Sequence, residues 1–222
     1  IQLFSARFLY PKSWPQMYKV FIQEFELRMV SAASPKAKKE GVLKYSDRLP
    51  DWPVLKKILF AKKDKCLTIS CKNKKVCWQH FKRRFKLIEA SGGLVENGKG
   101  DILMIYRLGK WDLPKGKMEK NEDVVQCSIR EVEEECGVNG LGITGKIVTT
   151  HHVMRRNKEK CLKVSHWYRM RTEYSGALVP QCEEGIEEVK WVPREKLLEH
   201  IDESWPSVKE VFKQAGFFEK VL

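Results

Sequence analysis

The sequence predicts an α/β protein in two parts, a small basic α+β region over residues 1–86 and a larger α/β region over 87–222. Three observations carry this. Strand-like and helix-like segments alternate in β-α-β-α order before residue 86. After it, paired strands are interrupted by one strongly amphipathic charged helix and followed by two short helices. The charge also changes near residue 90: up to there 21 Lys and Arg face 7 Asp and Glu, and beyond it 21 face 22.

Taken in order, Tyr18 to Met29 alternates as a strand or hairpin, and Ser31 to Glu40 is small, lysine-rich and loop-like. Asp51 to Phe60 reads as a helix, with Asp51 at the cap, Pro53 in the first turn, and Val54 and Ile58 on the apolar face. Cys66 to Cys71 reads as a short strand and Val76 to Phe85 as a helix. The basic runs 36–40, 62–65, 71–75 and 81–86 hold most of the excess charge, and Trp78, Phe81 and Phe85 interleave the last two. Helical spacing turns these aromatics toward the core. The alternative is a stacking surface for single-stranded nucleic acid.

A hairpin turn follows at 96–100, in which Asn97-Gly98 supplies positive φ. Residues 93–99 imitate the start of a P-loop. Gly100 stands where Ser or Thr is required and a strand follows where a helix is needed, so that reading fails. Beyond the charged helix, Ile143 to Met154 and Lys163 to Arg171 read as strands joined by a basic turn at 155–158. Alternation puts His151 and His152 on opposite faces. Arg194 to His200 and Trp205 to Ala215 read as closing helices.

The charged helix is the richest segment. Asn121 is placed to cap it, Glu122 and Asp123 put negative charge in its first turn, and Val125, Ile129, Val132 and Cys136 form its apolar stripe. Gly137 closes it. Glu131, Glu134 and Glu135 share a face away from that stripe, where like charges at i, i+4 repel by a few tenths of a kcal/mol (about 0.2–0.5). A hard divalent cation, Mg²⁺ or Mn²⁺, explains such a set, and a solvated acidic face is the alternative.

From Gly116 to Val138 the chain fits the template GX5EX7REUXEEXGU, U being aliphatic, at every specified position. On these residues it resembles the Nudix hydrolases of the MutT-like kind. The resemblance implies an α/β/α sandwich with a mixed sheet over about 87–215, the box forming loop-helix-loop. It also implies a metal-dependent pyrophosphohydrolase acting on a nucleoside diphosphate linked to another group. Carried over by position, the metal ligands are the Gly116 carbonyl, Glu131, Glu134 and Glu135, with Glu122 as a further candidate. Arg130 pairs with Glu122 to position the helix. Glu131 is the first candidate for general base, and Glu188 the second, in a late loop-strand segment (183–193) similar to the family's. Glu187 and the lysines of the Leu113-Pro114-Lys115-Gly116-Lys117 turn, Lys115 and Lys117, are candidate substrate contacts. That wording is similar to hydrolases of diadenosine polyphosphates, of oxidised nucleoside triphosphates and of some diphosphoinositol polyphosphates. Some bacterial members also resemble the layout of the first part, opening near a motif like MYKVF, which makes residues 1–16 upstream of a natural start at Met17.

Function is expected to be hydrolysis of dinucleoside polyphosphates or of oxidised or non-standard nucleoside triphosphates. RNA 5′-end pyrophosphate removal, with nucleic acid held by the basic part, is the second reading, and a nucleotide-sensing nucleic-acid-binding regulator the third. Many relatives look dimeric, which leaves a homodimer as one candidate state beside the monomer. No apolar run reaches the ~18 residues of a membrane span, and the polar, proline-broken start does not read as a signal peptide. Seven cysteines, with no CxxC pair, suit reduced thiols and a cytoplasmic protein. The other use for them is a zinc site of Cys66, Cys71, Cys77 and His80.

Overall fold

The computed structural model describes residues 17–45 and 48–218; residues 1–16, expected to lie upstream of a start at Met17, fall outside these. The described residues build one mixed sheet. Its strands are β1 (Met17–Ile22), β2 (Phe25–Ser31), β3 (Leu43–Tyr45), β4 (Cys66–Cys71), β5 (Lys86–Asn97), β6 (Ile102–Arg107), β7 (Lys110–Asp112), β8 (Lys115–Lys117), β9 (Gly142–Arg156), β10 (Glu159–Thr172) and β11 (Ile186–Val192). The order across the sheet is β11-β6-β5-β10-β9-β1-β2-β4-β3, with β7 on β6 and β8 on β5. Long antiparallel β9 and β10 form its centre. The basic first part joins them through the parallel bridge of Phe21 to His152.

The helices α1 (Trp52–Phe60), α2 (Lys74–Lys82), α3 (Val124–Cys136), α4 (Leu197–Asp202) and α5 (Pro206–Gln214) form the outer layers. The strand period of two explains how they are sorted. On β10, Leu162 and Val164 pack with Leu55 and Leu59 of α1 and Trp78 and Phe81 of α2. Tyr168 and Met170, farther along the same face, pack with Val132 and Cys136 of α3. Trp167, on the opposite face, packs with Ile201 of α4 and Phe212 of α5. Burying each such side chain contributes roughly 1.5–3 kcal/mol. Among the described residues no helix is long and apolar enough to cross a membrane.

The coarse elements stand where expected, with corrections that have local causes. α2 starts at Lys74 rather than Val76 because Asn73 caps it, its side-chain oxygen accepting from the Val76 amide at 3.2 Å. Asp51 holds the cap position of α1, yet its side chain makes no capping hydrogen bond. Trp78, Phe81 and Phe85 are buried, so the aromatic ladder is core and not a stacking surface. β3, and a 3-10 turn at Pro35–Lys38, lie in stretches the alternation did not mark.

In the 96–100 turn the positive φ belongs to Gly100 (87°). Asn97 works through its side chain, whose oxygen accepts from the amides of Lys99 and Asp101. The β9–β10 turn takes its positive φ at Asn157 and Lys158. Cys71 and Cys77 are buried in the core under α1 and α2.

Candidate active site

The sequence delivers the site on a short loop and a helix. β7 and β8 sit where β5 and β6 diverge: β7 pairs with β6 at Ile105 to Asp112, and β8 with β5 at Ala90 to Lys117. α3 lies over them. Its cap is Asp123 and not Asn121. Asp123 accepts from the amides of Val125 and Gln126 at 2.7 and 3.0 Å, and Gln126 returns a bond to the Asp123 amide, a full capping box. Asn121 is left-handed, φ 68°, and turns the loop into the helix. Gly137 closes α3 at φ 70°, its amide donating to the Glu133 carbonyl at 2.9 Å.

Arg130 organises the outer rim. It donates from Nε and Nη2 to the two Glu122 oxygens at 2.7 and 2.9 Å. Its Nη1 lies 2.8 Å from Glu131 and 2.9 Å from Glu134. The hydrogen bond from Arg130 brings the Glu122 carboxyl down to about 2. Pairing with Glu122 in turn raises the Arg130 guanidinium further.

The three box carboxylates do not share one environment, although the helical wheel puts them on one face away from the apolar stripe. Glu134 is exposed. Glu131 is half-buried, and burial raises its pKa. Its carboxylate lies over Gly116 so closely that a Cβ there would stand 1.6 Å from Oε2. Glu135 is 1% exposed. Its Oε2 accepts from the Lys115 amide at 2.7 Å, and Arg107 reaches its Oε1 at 3.4 Å. Burial pushes its pKa up to about 7, against the pull of Lys115 and Arg107. At both carboxylates burial outweighs the pull of the neighbouring cations.

The donors around Gly116 are hard oxygens, which fits a divalent cation of the Mg²⁺ class. Among the described residues no three His, Cys, Asp or Glu side chains stand in a metal-holding cluster; Glu131 and Glu134 are instead both paired with Arg130.

Lys115 turns its ammonium onto Asp112 at 2.6 Å, and the Lys117 side chain is exposed. Glu188 is exposed, 3.7 Å from Lys190 and without a bond to the box carboxylates. Glu187 is exposed beside it. The structure thus links Gly116, Glu122, Arg130, Glu131 and Glu134, joins Glu135 to the Lys115 amide, and carries Glu187 and Glu188 on β11, where among the described residues no hydrogen bond or ion pair ties them to the box. Sequence reasoning missed Arg107 and Asp112. They are single charges inside strands, and only the pairing of those strands brings them to the site.

An α/β/α protein whose loop-helix-loop sets glutamates over a glycine turn is the class these features define. The NUDIX domain model matches residues 86–215, more than half of the chain, and the chain belongs to the Nudix family. It is 35% identical over 121 residues to MutT4 of Mycobacterium tuberculosis, named as a mutator protein, the match covering 49% of this chain and 47% of that one. To the 8-oxo-dGDP phosphatase NUDT18 of Danio rerio it is 36% identical over 58 residues, 24% of this chain and 18% of that one. The chain thus spans less than half the length of these curated relatives. Among solved structures, the MutT protein of Methanosarcina mazei is similar at 24% identity and a TM-score of 0.43, over 61% of this chain and 97% of that one.

Proposed function

We propose that the chain is a metal-dependent pyrophosphohydrolase cleaving a nucleoside diphosphate linked to another group. Its substrate class is dinucleoside polyphosphates or oxidised or non-standard nucleoside triphosphates. One observation carries the reading: Glu131 and Glu135 converge on the Gly116–Lys115 backbone, Glu135 from inside the fold. Glu131, Glu134, Glu135 and the Gly116 carbonyl are the residues that would hold Mg²⁺, or Mn²⁺ in its place. When bound, such an ion supplies neutralisation of the pyrophosphate and acidification of water.

The chain's own groups do the rest. Arg130, clamped on Glu122, fixes the rotation of α3 and aims Glu131. Glu131 is the general base. Its raised pKa suits it to take the proton of the water that attacks phosphorus in line. The Lys115 amide holds Glu135 in place, and Lys115 and Lys117 put positive charge beside the phosphates. Glu122 serves Arg130 and not the ion, since both of its oxygens are taken by the guanidinium.

A second reading, pyrophosphate removal from RNA 5′ ends, is favoured by the charge of the first part, 21 Lys and Arg against 7 Asp and Glu up to residue 90. With the aromatics buried, any RNA contact there would run through phosphates and weaken steeply with salt.

Phosphate and pyrophosphate release with Mg²⁺ tests both readings. The panel is dinucleoside polyphosphates, normal and oxidised nucleoside triphosphates, nucleotide sugars and triphosphorylated RNA, with Glu135→Gln as control. Turnover of the small nucleotides, lost in the variant, supports the first reading. Turnover confined to RNA moves the assignment to the second, and a folded wild type that releases nothing across the panel refutes both.

A further inference from the structure

β10 carries one polar interruption on the sheet face that α3 covers. Leu162, Val164, His166, Tyr168 and Met170 alternate onto that face, in unbroken register with β5. The apolar ones are buried, Leu162 and Val164 with α1 and α2, Tyr168 and Met170 with α3. His166 falls between the two apolar patches and belongs to neither. Its ring is held at both nitrogens: Nε2 lies 2.9 Å from Glu89 Oε2, and Nδ1 lies 3.2 Å from the Thr149 hydroxyl. Residues of β5, β10 and β9 thus form a single hydrogen-bonded chain that the pyrophosphohydrolase chemistry above does not use.

Strand register sets this chain beside the box. Thr149, His166, Ser91 and Gly116 are direct partners across β9, β10, β5 and β8, so their Cβ directions fall on one face. On that face the Glu131 carboxylate occupies the place where a Gly116 Cβ would stand. Glu89, two residues before Ser91, shares the face. Cross-strand and along-strand spacings put its backbone about 8 Å from that of Gly116.

Ser91 is buried, whereas the Glu89 side chain is 47% exposed and that of His166 17%. Glu89 Oε1 makes no hydrogen bond among the described residues. An exposed pair of this kind returns little stability to the fold. A carboxylate held by one side chain, itself held by another, is instead a preorganised acceptor.

We propose that Glu89, oriented by His166 and Thr149, receives the ribose hydroxyls of the nucleotide substrate and gives the site a preference for ribonucleotides. A carboxylate only accepts, and with Oε1 open and a lone pair left on Oε2 it suits the adjacent 2′ and 3′ hydroxyls. The acidic residue of dinucleotide-binding folds recognises ribose by the same chemistry. The spacing agrees, since a ribose attached to a phosphate held at Gly116 extends over a distance of that order, about 8 Å. Glu89 is the contact, and His166 and Thr149 are positioning residues. The place of the phosphate rests on the pyrophosphohydrolase reading; the hydroxyl contact is testable without it.

The test is the preference for ribose over deoxyribose in wild type, Glu89→Ala, His166→Phe and Thr149→Val. With Mg²⁺, each nucleotide that turns over is compared with its 2′-deoxy form. Wild type is expected to favour the ribonucleotide about tenfold in kcat/KM, and Glu89→Ala to erase the difference. The loss should lie in KM for the ribonucleotide, with kcat within about threefold. His166→Phe and Thr149→Val keep the carboxylate and should lose part of the preference, whereas a merely structural chain would lower their melting temperatures and leave it intact. Calorimetry in EDTA, with the 5′-monophosphates of adenosine and guanosine against their 2′-deoxy forms, reads the same preference without turnover. If wild type hydrolyses no nucleotide yet binds the ribonucleotides more tightly, and Glu89→Ala abolishes that difference, the subsite stands and the pyrophosphohydrolase reading falls. No ribose preference of wild type in either assay, or one that Glu89→Ala leaves unchanged, overturns the subsite.

Discussion

Gly116 is the residue where geometry leaves least freedom. A methyl group there would meet Glu131 Oε2 at 1.6 Å and its carboxyl carbon at 2.1 Å, so Gly116→Ala must push the carboxylate off the turn. Displacing a reacting group by about 1 Å costs on the order of a hundredfold in rate. We expect kcat of Gly116→Ala to fall by about that much while its melting temperature stays within a few degrees of wild type; turnover near wild type would remove Glu131 from the chemistry.

A residue on the other side of the molecule sets a pH dependence. The His151 ring packs edge-on against Trp78 at 4.7 Å, and burial depresses its pKa from 6.5 to about 4. The unfolded chain binds the proton more readily between those values. The contribution is therefore full above pH 6.5 and is lost as pH falls toward 4. Between pH 7 and 5 this one histidine should cost on the order of 2 kcal/mol. Urea midpoints at the two pH values measure it, and the slope should shrink in His151→Phe.

At the scale of elements, α3 shows what periodicity can and cannot reveal. Of its stripe, Val132 and Cys136 are buried and Val125 packs beside them, while Ile129 is only partly covered and Cys127, Ser128 and Glu135 share the buried face; its stop at Gly137 was legible. Its cap was not, because Asn121, Glu122 and Asp123 are all acceptable N-terminal residues. What decides is long-range: Glu122 is drawn to Arg130 eight residues on, and Asn121 takes the left-handed turn, leaving Asp123 to cap.

The capping box is worth about 1 kcal/mol. Asp123→Ala should accordingly lower the melting temperature by roughly 2–4 °C, with a smaller loss of activity than Gly116→Ala. A fall larger than in any site variant would mean that the loop before α3, and not the cap alone, depends on Asp123. Glu135 teaches the same lesson. The helical wheel puts it on one face with Glu131 and Glu134, away from the apolar stripe, and its partner inside the fold, the Lys115 amide, belongs to a three-residue strand that no sequence period marks.

For the molecule as a whole, the sequence divided the chain by charge, and the structure joins both parts in one sheet. Each strand of the first part was readable by itself. The bridge of Phe21 to His152 was not, since a parallel neighbour far away in sequence leaves no local pattern. The joint is also apolar: Val153, Leu162 and Val164, all from the family-matched part, lie in one core with Tyr18, Trp78 and Phe81 from the basic part. A chain beginning at Lys86 would expose those three side chains together with the β9 edge on which β1 lies. Such an edge is a template for pairing with other chains. We expect residues 86–222 alone to associate or precipitate, and to lack the cooperative melt of the longer chain, by size-exclusion chromatography and thermal denaturation. A monomer melting at the same temperature would make the basic part an independent appendage. The expected loss would instead make it a structural half of the sheet, so that the basic surface must have evolved on elements the catalytic core needs in order to fold.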